Sequence, residues 1–482
     1  MEEKLAAVVG VIKLLNICHA QYALKAKRNY SIPNNKPSFL FMTKTKINIA
    51  LLFFLTSFQV FSQEQVDTSQ DYKKRVLETV EVNILSSYYS QDGDNAAVTG
   101  GKGTEELTDA TGTIIVSIPL NDDDVLTIDA GVSAYTSASS SNVGPFDGNN
   151  AADPFVASSG ASSADTWANF TVSYSHSSDD RNQIWSTNLS ISAEYDYFSV
   201  GFGGAYSRLF NEKNTELSVH GSAYLDTWNA IYPIELRPFE PTGNGLSNGL
   251  FLDNTITGNT NYNPKFIPFE NENRNSYTLG LGFSQILHKK VQGSLSLDFI
   301  QQQGLLSTPF QRVYFADVAD SFIENFQLAD AVEQLPDSRF KVAIGGRLNW
   351  FLNERFVLRT FYRYYSDNWG ITSHTANFEL PIKLSDKFTI YPSYRFYHQT
   401  AADYFRPFEV AVSTENFYSS DYDLSEYVAN QLGLGISYTD IFTKAHIWKF
   451  GLKRIDLKFY KYDRDTAFTS SIITAGFNFE VY

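Results

Sequence analysis

Residues Gln183 to Tyr197 read Q-I-W-S-T-N-L-S-I-S-A-E-Y-D-Y, and their alternation decides the fold. Trp185, Thr187, Leu189, Ile191, Ala193, Tyr195 and Tyr197 take the odd positions. Ser186, Asn188, Ser190, Ser192, Glu194 and Asp196 take the even ones. Side chains on a strand point to opposite faces in turn, so a period of two over this length means a strand with one apolar and one polar face. Aromatic rings sit near both ends of the apolar face and aliphatic side chains fill its middle, as a bilayer requires of a spanning strand. The pattern recurs down the chain, and no segment after Phe58 carries a helical period long enough to compete. The expected fold is all-β: a single transmembrane antiparallel β-barrel.

Sixteen strands are expected, within a range of 14 to 18. They centre on 80–90, 109–119, 124–135, 164–177, 183–197, 198–210, 214–229, 274–287, 290–303, 338–351, 354–366, 369–382, 386–399, 426–439, 447–462 and 469–482. Phe340, Val342, Ile344, Leu348 and Trp350 form one face, against Arg339, Lys341, Arg347 and Asn349 on the other. The connections sort into two classes. Every second one is a compact polar turn, such as Asn121-Asp122-Asp123, Asn211-Glu212-Lys213 or His288-Lys289, with a longer exception around Asp440 to Ala445. The four long ones, near 136–163, 230–273, 304–337 and 400–425, fall on the other side. Short periplasmic turns and long extracellular loops are the usual asymmetry of outer-membrane barrels.

Met42 to Ser62 has the form of a signal peptide: Lys44 and Lys46, an apolar run from Ile47 to Phe58, then Val60 and Ser62 as a small-residue cleavage pair. The expected boundaries are a non-native extension over 1–41, the signal over 42–62, a short periplasmic segment over 63–79 and the barrel over 80–482. The export signal places the protein in the outer membrane of a Gram-negative bacterium. Without residues 1–62 the chain keeps 30 of its 38 Lys+Arg and 51 of its 53 Asp+Glu, a net charge of −21. That acidity speaks against a nucleic-acid partner, which needs a basic face. Cys18 falls in the removed part, so the mature chain has no thiol chemistry. Residues 63–79 are too few for a plug domain, which argues against an energy-coupled transporter with a plugged lumen. The alternating Ile473, Ala475, Phe477, Phe479 and Val481 resemble the last strand by which such barrels meet the assembly machinery. That machinery and outer-membrane lipid are the expected partners.

Three stretches carry a resemblance: S-S-Y-Y-S-Q-D-G-D-N-A-A-V-T-G-G-K-G-T-E from Ser86 to Glu105, D-A-G-V-S-A-Y-T-S-A-S-S from Asp129 to Ser140, and S-G-A-S-S-A-D-T from Ser159 to Thr166. They resemble an outer-membrane family known as the domain-of-unknown-function 3570 family. The resemblance implies a barrel and an outer-membrane location, and no established activity. It also points to neighbours of redox type, among them a thioredoxin-like protein, and hence to an envelope partner protein.

Candidate chemistry is sparse. Asp92, Asp94 and Asn95 have oxygen-ligand spacing for Ca²⁺ but lack the later bidentate Glu of a full loop, and such clusters commonly make turns. No other cofactor is implied. Gly100-Gly101-Lys102-Gly103-Thr104 opens no helix and is not a phosphate loop. His176, His220, His288, His374, His398 and His446 show no metal spacing and read as polar lumen lining. The strand parity of the charges says more. Asp129, Asp165, Glu194, Asp196, Glu216, Asp226 and Asp298 face inward on strands of the first half. Arg339, Lys341, Arg347, Arg359, Arg363 and Arg395 face inward on strands of the second. Two walls of opposite sign make a transverse field across a pore, or they pair into a network that seals it. Phe405, Phe408, Phe417, Tyr418, Tyr422 and Tyr427 either pack the loops together or serve as docking surface. The leading reading is a non-enzymatic pore or binding channel for small polar solutes. The alternatives are a non-conducting scaffold for an envelope partner and, further off, an outer-membrane hydrolase.

Overall fold

The computed structural model describes residues 74–136, 164–268 and 272–482. The extension, the signal and most of the first long loop therefore lie outside the described residues. Sixteen long strands form the wall: β1 Val80–Gly93, β2 Leu107–Pro119, β3 Asp124–Thr136, β4 Ala164–Ser177, β5 Gln183–Ala193, β6 Tyr197–Phe210, β7 Thr215–Trp228 and β8 Glu272–His288. The second half consists of β9 Val291–Gly304, β10 Ser338–Phe351, β11 Val357–Asp367, β12 Thr372–Glu379, β13 Phe388–Gln399, β14 Tyr427–Thr439, β15 Phe450–Arg464 and β16 Phe468–Val481. Each is antiparallel to its neighbours in sequence. The ring closes where β1 pairs with β16, in unbroken register from Val80↔Val481 to Gly93↔Phe468. Closure leaves no unpaired strand edge in the wall.

Burial in the wall is inverted relative to a soluble protein. Large apolar side chains at mid-strand face outward, with Leu295 60%, Ile344 50%, Leu432 64% and Leu434 58% exposed. A continuous surface of this kind is stable only against hydrocarbon. Rings border it at both rims: Trp185 against Tyr174 (centroids 5.3 Å) and Phe388 against Tyr438 (5.3 Å) at the short-turn end, and Tyr364 against His374 (5.4 Å) toward the other.

Among the strand boundaries that differ from expectation, two have a clear local reason. The stretch expected as one strand to Tyr197 stops at Ala193. Glu194 to Asp196 then make a hairpin turn closed by the Glu194 amide donating to the Tyr197 carbonyl (2.8 Å). Glu194 and Asp196 are thus turn residues, and Tyr197 starts β6 facing the lumen. β12 stops at Glu379 because Leu380-Pro381 follows and Pro381 has no N–H to give the ladder.

The long loops fold on one another above one rim. Residues 229–268, 305–337 and 400–426 contribute to three small apolar cores. One holds Leu236, Phe251, Tyr262, Ile323, Phe326 and Leu328. A second holds Val313, Phe315, Ala331, Ala411 and Tyr418, and a third Leu306, Leu335 and Trp369. Ile256–Gly258, Ser321–Ile323 and Phe326–Gln327 add a three-stranded sheet. The loop aromatics serve this packing: Phe405 on Tyr422, Phe408 on Tyr314, Phe417 on Tyr404 and Tyr418 on Phe315, all with centroids 5.0–5.5 Å apart. Tyr427 packs on Tyr397 of the wall at 5.5 Å.

Candidate functional site

Strand register assembles the basic side of the lumen. Directly opposed residues on neighbouring strands share a face, and the pairs Asn349↔Arg359, Arg359↔Glu379, Arg363↔Thr375 and Arg395↔Gln431 run across β10 to β14 at neighbouring levels. The result is a cavity of about 420 Å³ onto which Arg347, Arg359, Arg363 and Arg395 all open. A smaller one of about 340 Å³ shares Arg363, Arg395 and Gln431 and rises toward Tyr397 and Tyr427. Arg359 is partly neutralised by Glu379, Nη1 to Oε1 2.8 Å. Arg347 lies over the Phe361 ring at 5.2 Å. Arg363 differs, because its Nε is buried and has no hydrogen-bond partner. Thr375 beside it is 2% exposed, and its hydroxyl also lacks a partner. Two buried, unmet polar groups on one cavity wall are a cost that a bound oxygen-rich group would remove.

The acidic residues form a separate group. Asp165, Glu194, Asp196 and Asp226 surround a cavity of about 500 Å³ at the loop end of the barrel, on the opposite arc. The two sets stand at different depths, because Asp226 is near the loop end of β7 whereas Arg347 and Arg359 lie toward the short-turn ends of β10 and β11. The two charged groups are therefore offset along the barrel axis.

The remaining expected residues are dispersed. Arg339 donates through Nε and Nη2 to Asp367 (2.9 and 2.5 Å) and lies over Trp369 at 4.3 Å, which ties it to the rim. Lys341 is half-buried one inward position below it. Asp298 meets His220 Nε2 at 3.4 Å. Asp129 keeps a buried, unpartnered Oδ1, and Glu216 is half-buried near the short-turn end of β7. Asp92 lies within β1 opposite Thr469, the Asp94 carbonyl accepts from the Gly103 amide, and Asn95 donates its side-chain amide to the Thr466 carbonyl (2.5 Å). Three histidines expected as lumen lining stand instead on the lipid side: His176 beside Trp185, His374 beside Tyr364, and His398 stacked on His374 at 6.5 Å. Their even strand positions place them on the apolar face.

A set of buried charges in the loops has no counterpart in the sequence reading. Arg312, 2% exposed, donates Nε and Nη2 to Glu235 (2.6 and 3.2 Å), itself 1% exposed. Its Nη1 donates to the Val98 carbonyl at 2.8 Å. Val98 belongs to the β1–β2 connection and Arg312 to the β9–β10 connection. In the ring order these stand eight strand positions apart, half the circumference. A contact between them must span the mouth. Gly100 (φ 83°) makes the same crossing, so near Tyr314 that a β-carbon would stand 2.5 Å from its ring. The Lys265 ammonium makes a third, donating to the Glu415 carbonyl at 2.6 Å. The loops thus form a cap across the mouth. Burial pushes Glu333 within it up to about 8, with Asp421 adding to the effect. Desolvation likewise raises Asp330 to about 6 and Glu105 to about 7. The missed signal was a charge inside an apolar run: Y-P-I-E-L over Tyr232–Leu236 and R-V-Y-F over Arg312–Phe315.

A closed sixteen-stranded ring with a lipid-facing apolar belt and a polar, charge-lined interior defines an outer-membrane β-barrel protein. The chain belongs to the family described as "Protein of unknown function (DUF3570)", whose model matches residues 49–454. None of the curated proteins matches it. Among solved structures it is similar to a bacterial polysaccharide outer membrane secretin, with 12% identity, 84% of this chain and 99% of that one covered, and a TM-score of 0.41. It is also similar to the TodX deltaS2 mutant, a monoaromatic hydrocarbon channel (8%, 84% and 91%, 0.38). A third is the siderophore receptor PirA from Pseudomonas aeruginosa (10%, 81% and 57%, 0.36).

Proposed function

We propose that this barrel is a selective channel for a small polar solute carrying an anionic group, closed at rest by its loop cap. The observation that carries the reading is the pair of unmet groups, Arg363 Nε and Thr375 Oγ1, on a cavity shared by four arginines. A carboxylate, phosphate or sulfate would satisfy both and balance the surplus positive charge. A wall of this sign also raises the local concentration of anions and lowers that of cations. The test is the reversal potential of the mature barrel in a planar bilayer under a salt gradient. The wild type is expected to prefer anions. Arg363→Glu together with Arg395→Glu should reverse that preference, and an unchanged reversal potential would defeat the reading.

The non-conducting scaffold has one observation in its favour, the cap's continuous packing across the mouth. Absence of conductance in folded protein, even after the cap is unlatched, would select that reading.

A further inference from the structure

The acidic cavity under the cap has a chemistry of its own. Asp165 from β4, Glu194 and Asp196 from the β5–β6 turn and Asp226 from β7 open onto one space of about 500 Å³. Burial, reinforced by the neighbouring carboxylate, holds Glu194 above the ordinary range, and burial does the same to Asp196. Carboxylates alone would describe only a strained patch of wall. Asp226 adds a second observation. It is 7% exposed, and its Oδ1 is buried without any hydrogen-bond partner. An anionic oxygen withdrawn from water and left unmet is costly unless something positive comes to it.

The other lining groups indicate what that is. Trp167, Tyr197 and Trp228 come from the wall, and Phe310 reaches down from the cap, edge-on to Trp228 at 6.3 Å. The Trp228 indole donates to Asp196 Oδ2 (3.0 Å), which fixes the ring. Arg274, which also lines the cavity, lies over that ring at 5.4 Å, and against the four carboxylates it leaves an excess of negative charge. Aromatic rings beside a carboxylate with one unmet oxygen are the two components of ammonium recognition. A bare metal ion fits less well. Among the described residues no three His, Cys, Asp or Glu side chains converge as metal ligands.

We propose that this cavity binds a small organic cation, its ammonium group held by Asp226 and the aromatic wall at Trp228. The site would give the lumen a cationic-group subsite near the mouth, above the anionic-group subsite among the arginines. It rests on the reading that the barrel accepts a small solute, and it narrows that solute to one with an organic ammonium group.

The test is titration of the folded mature barrel in detergent with tetramethylammonium chloride, followed by tryptophan fluorescence, with sodium chloride as control for ionic strength. A saturable change with tetramethylammonium and none with sodium is expected. Asp226→Asn keeps the side chain's size and should raise the apparent Kd about tenfold or more. Trp228→Leu should weaken binding comparably, whereas Asp386→Asn, on an exposed turn, should leave it unchanged. The gel-migration shift between unheated and boiled samples confirms that each variant is folded. No saturable response in folded wild type, equal affinity in Asp226→Asn and Trp228→Leu, or an equal response to sodium would overturn the assignment. The readout is binding, so a barrel that binds tetramethylammonium without conducting keeps this site and loses only the channel reading.

Discussion

The wall and the cap of this molecule solve the folding problem in opposite ways. The wall turns its apolar side chains outward to lipid, keeps its polar ones inside and satisfies its backbone by a closed ladder. The cap sits in water and does the reverse, with apolar clusters inside and loop backbone outside. Its central ion pair is almost wholly buried: Arg312 and Glu235 are nearly inaccessible, whereas Arg359 of the wall, paired with Glu379, remains about half exposed (51%). Stability in the wall is thus spread over many equivalent strand pairs, and in the cap it is concentrated in a few contacts. A single change should therefore undo the cap while leaving the wall intact.

The largest effect is expected from Arg312→Ala. Removing one partner of a buried ion pair strands the other, at a cost of about 3–5 kcal/mol. Proteolysis within 229–268 and 305–337 should become fast, while the heat-sensitive migration of the barrel in detergent gels stays as in wild type. Loss of both together would mean that cap and wall form one cooperative unit. The converse break is Leu432→Arg, at mid-strand on the lipid face, expected to cost roughly 2–4 kcal/mol of barrel stability. Its readout is the urea midpoint of the gel shift, and an unchanged midpoint would show that this face does not meet hydrocarbon.

The pH dependence sharpens the contrast. Glu333 sits at about 8 in the folded cap, above its ordinary value of 4.5, because burial disfavours the charged form. A raised carboxyl leaves stability intact below the unfolded value and withdraws it as pH climbs toward the folded one. The cap should therefore loosen between about pH 4.5 and 8. Hydrogen exchange in residues 305–337, taken relative to its intrinsic base-catalysed rate at each pH, should rise over that window in wild type. Glu333→Gln, still able to accept from the Thr308 amide, should flatten the rise. A rise of equal size in the variant would move the effect to another group. The smallest change is Glu415→Gln, which weakens a part-exposed pair with Arg406 (2.8 Å) and should cost about 1 kcal/mol or less.

The same contrast explains what could be read from sequence. Period-two alternation is a local signal, so the wall was legible, down to strand limits such as 164–177 and 338–351. It failed at Glu194–Asp196, where the chain turns without glycine or proline and the alternation reads on regardless. Inward parity placed Arg363, Arg395 and Asp226 on the lumen side, but their grouping into two cavities at different depths depends on register across many strands. Of the cap, loop packing by aromatics such as Phe405 and Tyr418 was one of two readings the sequence allowed, and the latch was not legible. Its contacts join residues hundreds of positions apart, as Arg312 joins Val98, and a lone Arg or Glu in a loop looks like a solvated charge until its surroundings are known.

The central claim is that loops latched across the mouth close a charge-lined lumen. Its most direct test is the conductance of the mature barrel in a planar bilayer, compared with that of Arg312→Ala. The expected result is a wild type that is mostly closed and a variant that is mostly open, with the same single-channel amplitude whenever either conducts. Equal open probability in the two proteins, with the variant's cap shown to be released by proteolysis, would contradict it.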